Sequence, residues 1–296
     1  MNRSGTEMKT INKYIGLLVI GGFLLSSCAE EPKKSHSDEA EHSDSTATEE
    51  VMTEEVDEDF SFMLPSPIQI AAIFNRAGLE FESDLANPPS NLENYNTKTA
   101  KYLNFGVYSA DLAYAVLNDQ QQLSIDYMNA VKTLADANGM PSIFGTGSLV
   151  ESFEKNIGNQ DTILRILTVI KRRTDEYLEE NAEKSKEAVF FSAAWVEGMY
   201  LGANSGSNEH VTARLLEQIT ILENVIKALK IQKDPSLDIE FLITGLEEMD
   251  TAFNNYESIK KLENTDMSIA DATLTDTELA DLKKRITDLR NQIVSL

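Results

Sequence analysis

The chain has 296 residues, 42% of them hydrophobic, with 49 Asp and Glu against 26 Lys and Arg and a formal net charge of −23. That length accommodates one large domain or two modest ones with a real core, and so acidic a chain repels the phosphates of nucleic acid. Its single cysteine supports neither an intramolecular disulfide nor a four-ligand zinc site.

The first 28 residues read as a targeting segment. Arg3, Lys9 and Lys13 make a positive start with Glu7 as the one acid, and Tyr14 to Leu25 is an apolar run of 12 residues. A membrane-spanning helix needs roughly 20, so the run fits the hydrophobic stretch of a secretory signal peptide, residues 1–27. It ends in Leu25-Ser26-Ser27-Cys28, which resembles the bacterial lipobox: an aliphatic residue, two small ones, then cysteine. The resemblance implies cleavage before Cys28, diacylation of its sulfur and acylation of its amine with palmitate-type chains. Two or more chains anchor stably where one is marginal. Ala29 is not the aspartate tied to inner-membrane retention in enteric bacteria, which implies the outer membrane. Cys28-Ala29-Glu30-Glu31 resembles the acidic export signals of surface lipoproteins in Bacteroidetes.

Residues 28–59 read as an acidic tether. Positions 29–59 hold 13 acids and two bases, a net of −11, and offer almost no apolar side chain to bury. Such a stretch cannot offset its ordering entropy and is expected to be disordered. His36 and His42 lie here among acids and read as solvated. Asp44-Ser45-Thr46 resembles the O-glycosylation signal of Bacteroidetes and makes Ser45 a candidate glycosylation site. Asp161-Thr162-Ile163 and Asp250-Thr251-Ala252 match it too, but on expected helices.

From residue 60 the pattern becomes helical, and 60–296 reads as one all-α body. Its net charge is −14, once +2 for the first 28 residues and −11 for the tether are set aside. Ser66-Pro67 predicts a helix start and Gly78 its stop. Further helices are expected over 97–117, 120–138, 148–157, 161–180, 184–202 and 239–262. Val211, Leu215, Leu216, Ile219, Leu222, Val225, Ile226 and Leu229 predict one apolar face. Thr275-Asp276-Thr277-Glu278 is a capping-box pattern that opens a last amphipathic helix through Leu279, Leu282, Ile286, Leu289 and Ile293. The expected architecture is a bundle of eight to nine helices.

Two of these helices, around Leu103–Tyr114 and Val189–Tyr200, are apolar nearly all round, which belongs in the middle of a bundle. Shifted by 86 positions, Asp111 falls on Glu197 and Tyr114 on Tyr200. Two related four-helix units, 66–140 and 148–232, followed by a helical pair over 239–296, would explain this. Chance likeness between short helical hairpins would explain it as well.

Few residues carry chemistry. The body has one histidine, His210, in Asn208-Glu209-His210 at an expected helix start, where it reads as solvated. No HExxH or paired Glu-x-x-His occurs, and the His-x-x-Glu motif of the helical imelysin-like surface peptidases is missing. Gly145-Thr146-Gly147-Ser148 lacks the lysine of a phosphate loop and reads as a loop and helix cap. No cofactor or metal is implied. Asp111 and Glu197 remain: each is a charge on an otherwise apolar helix and must be paired or neutralised. In the one reading they are hydrogen-bonded and fix helix register. In the other they approach one cleft, where like-charge proximity raises one pKa, and act as the candidate catalytic pair of a carboxylate-dependent hydrolase of cell-envelope glycan. That alternative requires both acids to line one solvent-reachable cleft, about 5–10 Å apart.

Taken with Phe62-Met63-Leu64-Pro65-Ser66-Pro67 and Asn94-Tyr95-Asn96-Thr97, the lipobox and the stretch from Phe62 to Tyr114 resemble helical lipoproteins of Bacteroidetes. This implies location and fold and carries no activity. The expectation is a lipid-anchored outer-membrane protein, facing the periplasm or the cell surface, that binds an envelope protein or glycan.

Overall fold

The computed structural model describes residues 64–206 and 208–296. The signal peptide, Cys28, the tether and Ser45 lie outside them. Every regular element among the described residues is helical, as the 3.6-residue periodicity requires. The α-helices are α1 (Pro67–Arg76), α2 (Lys98–Leu117), α3 (Gln121–Ala137), α4 (Ser148–Lys155), α5 (Gln160–Glu180), α6 (Glu187–Asn204), α7 (Glu209–Ile219), α8 (Leu222–Ile231), α9 (Glu240–Asn255), α10 (Glu257–Lys260) and α11 (Asp276–Val294).

That is eleven α-helices, against eight to nine expected. The excess comes from two breaks inside long amphipathic stretches. The apolar face from Val211 to Leu229 is divided at Thr220-Ile221 into α7 and α8, and the stretch from 239 to 262 turns at Tyr256, whose backbone is extended. Both breaks keep the apolar residues buried on each side, so periodicity alone did not reveal them. The start signals behave as expected. Ser66 precedes Pro67, and its amide donates to Gln69 Oε1 (2.7 Å). The Thr275 amide donates to Glu278 Oε2 (2.8 Å), while Thr275 Oγ1 accepts from the Glu278 amide (3.3 Å). Gly147, with φ +91°, leads into α4 at the end of the glycine-rich loop.

Helices α2 and α6 form the centre. Sixteen of the 20 residues of α2 are buried, and 14 of the 18 of α6. Side chains on every face need partners on every face, so the other elements wrap these two. The pair packs at unusually short range. A Cβ on Gly106 would lie 1.9 Å from the Phe190 carbonyl oxygen and 3.0 Å from the Ala194 nitrogen. Those contacts bracket position 192, which is Gly106 shifted by 86. With Asp111 beside Glu197, five positions further along each helix, the two helices run parallel in the register that the sequence comparison suggests.

α1 lies along α6 in the same direction. Ile70 fills the space at Gly198 and Phe74 that at Gly202, where an added Cβ would come within 2.8 and 2.7 Å of them. The surroundings of the two central helices differ. The unit spanning 66–140 reaches α2 through an irregular crossing that holds one 3-10 turn, Pro89–Asn94. The unit spanning 148–232 has the 21-residue α5 before α6.

Candidate functional site

The crossing from 78 to 97 is irregular yet partly buried, so its backbone polar groups need partners. Helix α2 supplies them from Tyr108, Asp111 and Tyr114, at three-residue steps on one side of the helix. Tyr108 Oη donates to the Pro88 carbonyl (2.9 Å). The Asn87 amide donates to Asp111 Oδ2 (3.2 Å). Tyr114 Oη donates to the Glu80 carbonyl (2.8 Å) and accepts from the Glu82 amide (2.7 Å). The crossing thus runs antiparallel to α2 and is held to it by a row of side-chain to backbone bonds.

On the α6 side the cover is α11. Arg290 meets Glu197 in a two-pronged pair, Nε to Oε2 at 2.9 Å and Nη2 to Oε1 at 3.1 Å. The same Nη2 donates to the Leu85 carbonyl (3.3 Å), which ties α11 to the crossing. The guanidinium also stacks on Tyr200, 4.5 Å from the ring centroid. Nearby, Asn104 Nδ2 donates to the Ile293 carbonyl (3.2 Å), Asn87 Nδ2 to Tyr95 Oη (2.8 Å), and Tyr95 Oη to the Val294 carbonyl (3.4 Å).

Asp111 and Glu197 act on each other at close range, and neither has any solvent-exposed surface. The sequence pairs them through the 86-residue shift, and the structure brings them together. It does not place them on a solvent-reachable cleft. They lie beneath α11 and the crossing, and the Arg290 side chain is itself only 10% exposed. Burial, then the neighbouring Glu197 carboxylate, push the Asp111 carboxyl well above the usual carboxylate range. Burial also raises Glu197, against the pull of Arg290. Burial likewise raises the ring hydroxyls of Tyr95, Tyr108 and Tyr127 around the pair. Arg290 thus matches Glu197 in a closed space, while Asp111 Oδ1 is left buried without a donor.

Arg290 is the central residue that sequence reasoning did not single out. A signal was present: Ile286, Arg290 and Ile293 follow at four- and three-residue steps, so the arginine lies on the apolar stripe of α11.

A second charged cluster joins the start of α2 to the turn after α8. Lys98 Nζ reaches Asp234 Oδ2 at 2.8 Å and Ser236 Oγ at 2.7 Å. Lys186 Nζ lies 3.2 Å from Asp234 Oδ2 and pairs with Glu183. Both ammonium groups face the Tyr102 ring, 5.9 and 5.7 Å from its centroid. The Lys98 bond, first among several, holds the Asp234 carboxyl well below the usual range.

The remaining candidates are ordinary surface. His210 is exposed in the first turn of α7, where Asn208 Oδ1 accepts its backbone amide (2.9 Å). Thr162 and Thr251 sit within α5 and α9. Among the described residues, no group of three or more His, Cys, Asp or Glu is placed to hold a metal ion, and no helix is long and apolar enough to cross a membrane. Comparison with protein families, curated proteins and solved structures finds no match to this chain.

Proposed function

We propose that this protein is a membrane-anchored envelope lipoprotein whose all-α body acts as a binding or scaffold module for an envelope protein or glycan. The observation that carries the anchoring is the order of a basic start, a 12-residue apolar run and Leu25-Ser26-Ser27-Cys28. Cys28 is the acceptor of the acyl chains, palmitate-type among them, and the outer membrane is the destination. A non-catalytic body is favoured by the closure of the Asp111–Glu197 pair. An acid and base that hydrolyse a glycan must reach the scissile bond, and both are fully buried, with Glu197 held by Arg290.

Cys28→Ser tests the anchor. Metabolic labelling with a lipid precursor should mark the wild type and leave the variant unmarked, and fractionation should release the variant from membranes. The body should fold unchanged, because Cys28 lies well before its first core residue. Equal labelling of both proteins would overturn the assignment. The hydrolase alternative has its own test in turnover of cell-wall glycan. Activity present in the wild type and lost in Glu197→Gln, with folding intact, would replace the binding reading. Affinity capture from native envelopes with the wild type as bait would identify the partner.

A further inference from the structure

The two central acids carry more negative charge than their surroundings can neutralise. Among the described residues, Arg290 is the cation acting on Asp111, and its guanidinium is spent on Glu197 in a two-pronged pair. Apart from Glu197 and Arg290, these groups around Asp111 are uncharged: Tyr108 on its own helix, Tyr127 on α3, and Asn87 and Tyr95 on the crossing. Tyr200 on α6 stacks on the arginine.

The hydrogen bonding of Asp111 sharpens the point. Its Oδ2 accepts the Asn87 amide, but Oδ1 is buried and no amide, hydroxyl or ammonium donates to it. A buried carboxylate oxygen without a donor is costly. The same side chain also feels a second buried carboxyl group, on Glu197. Two buried carboxylates side by side repel, whereas an acid and a carboxylate sharing a proton attract. A proton on Asp111 Oδ1, donated to Glu197, resolves both difficulties.

We infer that the body folds around one proton shared by Asp111 and Glu197 beneath α11, so that its stability is linked to pH through this pair. At neutral pH Asp111 is a carboxylic acid and Glu197 carries the charge that Arg290 matches. In the unfolded chain both acids ionise near pH 4. Folding at neutral pH therefore takes up a proton. Asp111 is raised on folding, so its contribution is complete below the unfolded pKa. It is lost as pH rises towards the folded one, by up to about tenfold in the unfolding constant per pH unit. Acid strengthens this core and alkali weakens it.

The test compares urea unfolding of the wild type and Asp111→Asn from pH 5 to pH 9. Asparagine keeps a donor for Glu197 and cannot ionise. The wild type should lose stability as pH rises, and the variant should lose that slope. Asp250, also raised by burial, is unchanged in the variant and cancels. Parallel slopes would overturn the inference. If the variant does not fold, the wild type decides the matter alone. Difference titration of native against urea-unfolded protein at pH 7 should show about one additional proton bound by the native state. Infrared spectra of the native protein should show the carbonyl band of a buried protonated carboxyl. Equal proton binding by the two states, with no such band, would likewise overturn it.

Discussion

Two charged clusters hold this body together, and they differ in how fully their acids are buried and in their balance of acid and base. The Asp111–Glu197–Arg290 group is closed to solvent, joins α2, α6, α11 and the 78–97 crossing, and holds more acid than base. The Lys98–Lys186–Asp234 group joins the start of α2 to the turn after α8, and the Lys98 side chain is 42% exposed. In the first, each group is confined to the partners the fold supplies, so deleting one leaves a buried charge. In the second, water can replace a partner lost at Lys98 or Asp234, although the Lys186 side chain is only 10% exposed. Similar ion pairs therefore carry different weight, decided by what remains when one member is removed.

The largest expected effect is at Arg290. Arg290→Met leaves the Glu197 carboxylate buried without a cation and should lower stability by about 3–5 kcal/mol, read as a shift of the urea midpoint. Combining it with Glu197→Met removes the charge along with its partner, and the double variant should recover much of that loss. Failure to recover would mean that Glu197 also matters through contacts other than Arg290.

Next comes Gly106→Ala, which tests the helix approach that makes the acid contact. The added Cβ meets the backbone of α6 rather than a movable side chain end. Forcing α2 and α6 apart should cost about 1–3 kcal/mol or more and should reduce the pH slope along with the stability.

The smallest effect belongs to the wetter cluster. Asp234→Asn should cost no more than about 1 kcal/mol, and less in high salt, whereas the Arg290→Met loss should be nearly independent of salt. The two clusters also respond to pH with opposite signs. The Asp234 carboxyl is held low by Lys98, so its contribution is present above pH 4 and disappears on acidification. The Asp111 contribution is lost as pH rises. Unfolding curves taken from pH 2 to pH 9 on Asp234→Asn and Asp111→Asn would separate the acid limb from the alkaline one.

The helical class and the helix starts were legible because they rest on local chemistry: the Ser66-Pro67 start, the Thr275–Glu278 box and the apolar steps of the last helix. The pairing of Asp111 with Glu197 was legible for a different reason. Both acids interrupt helices that are otherwise apolar on all faces, and such helices must lie side by side at the centre. What covers the pair was not legible. The crossing carries no periodicity of its own and is fixed by Tyr108, Asp111 and Tyr114 reaching its backbone. Arg290 reads as one more polar residue in a helix rich in them until its neighbours Ile286 and Ile293 are set beside it. The breaks at Thr220-Ile221 and Tyr256 leave the apolar pattern intact on both sides, and no local signal announces them.

The position of Arg290 in the chain has a consequence for how the molecule is made. Glu197 waits 93 residues for its cation, the Leu85 carbonyl waits 205 for the same side chain, and Tyr95 waits 199 for the Val294 carbonyl. During synthesis or export from the amino end, α2 and α6 can pair early, but the acids between them stay uncovered until α11 arrives. Contacts of such long sequence separation close late and slowly. A chain cut short before residue 290 would present an apolar helix pair with an open charged seam, the kind of exposed surface on which aggregation and proteolysis begin. The last helix thus serves as a completeness check, since the centre of the body closes only around a chain that includes it.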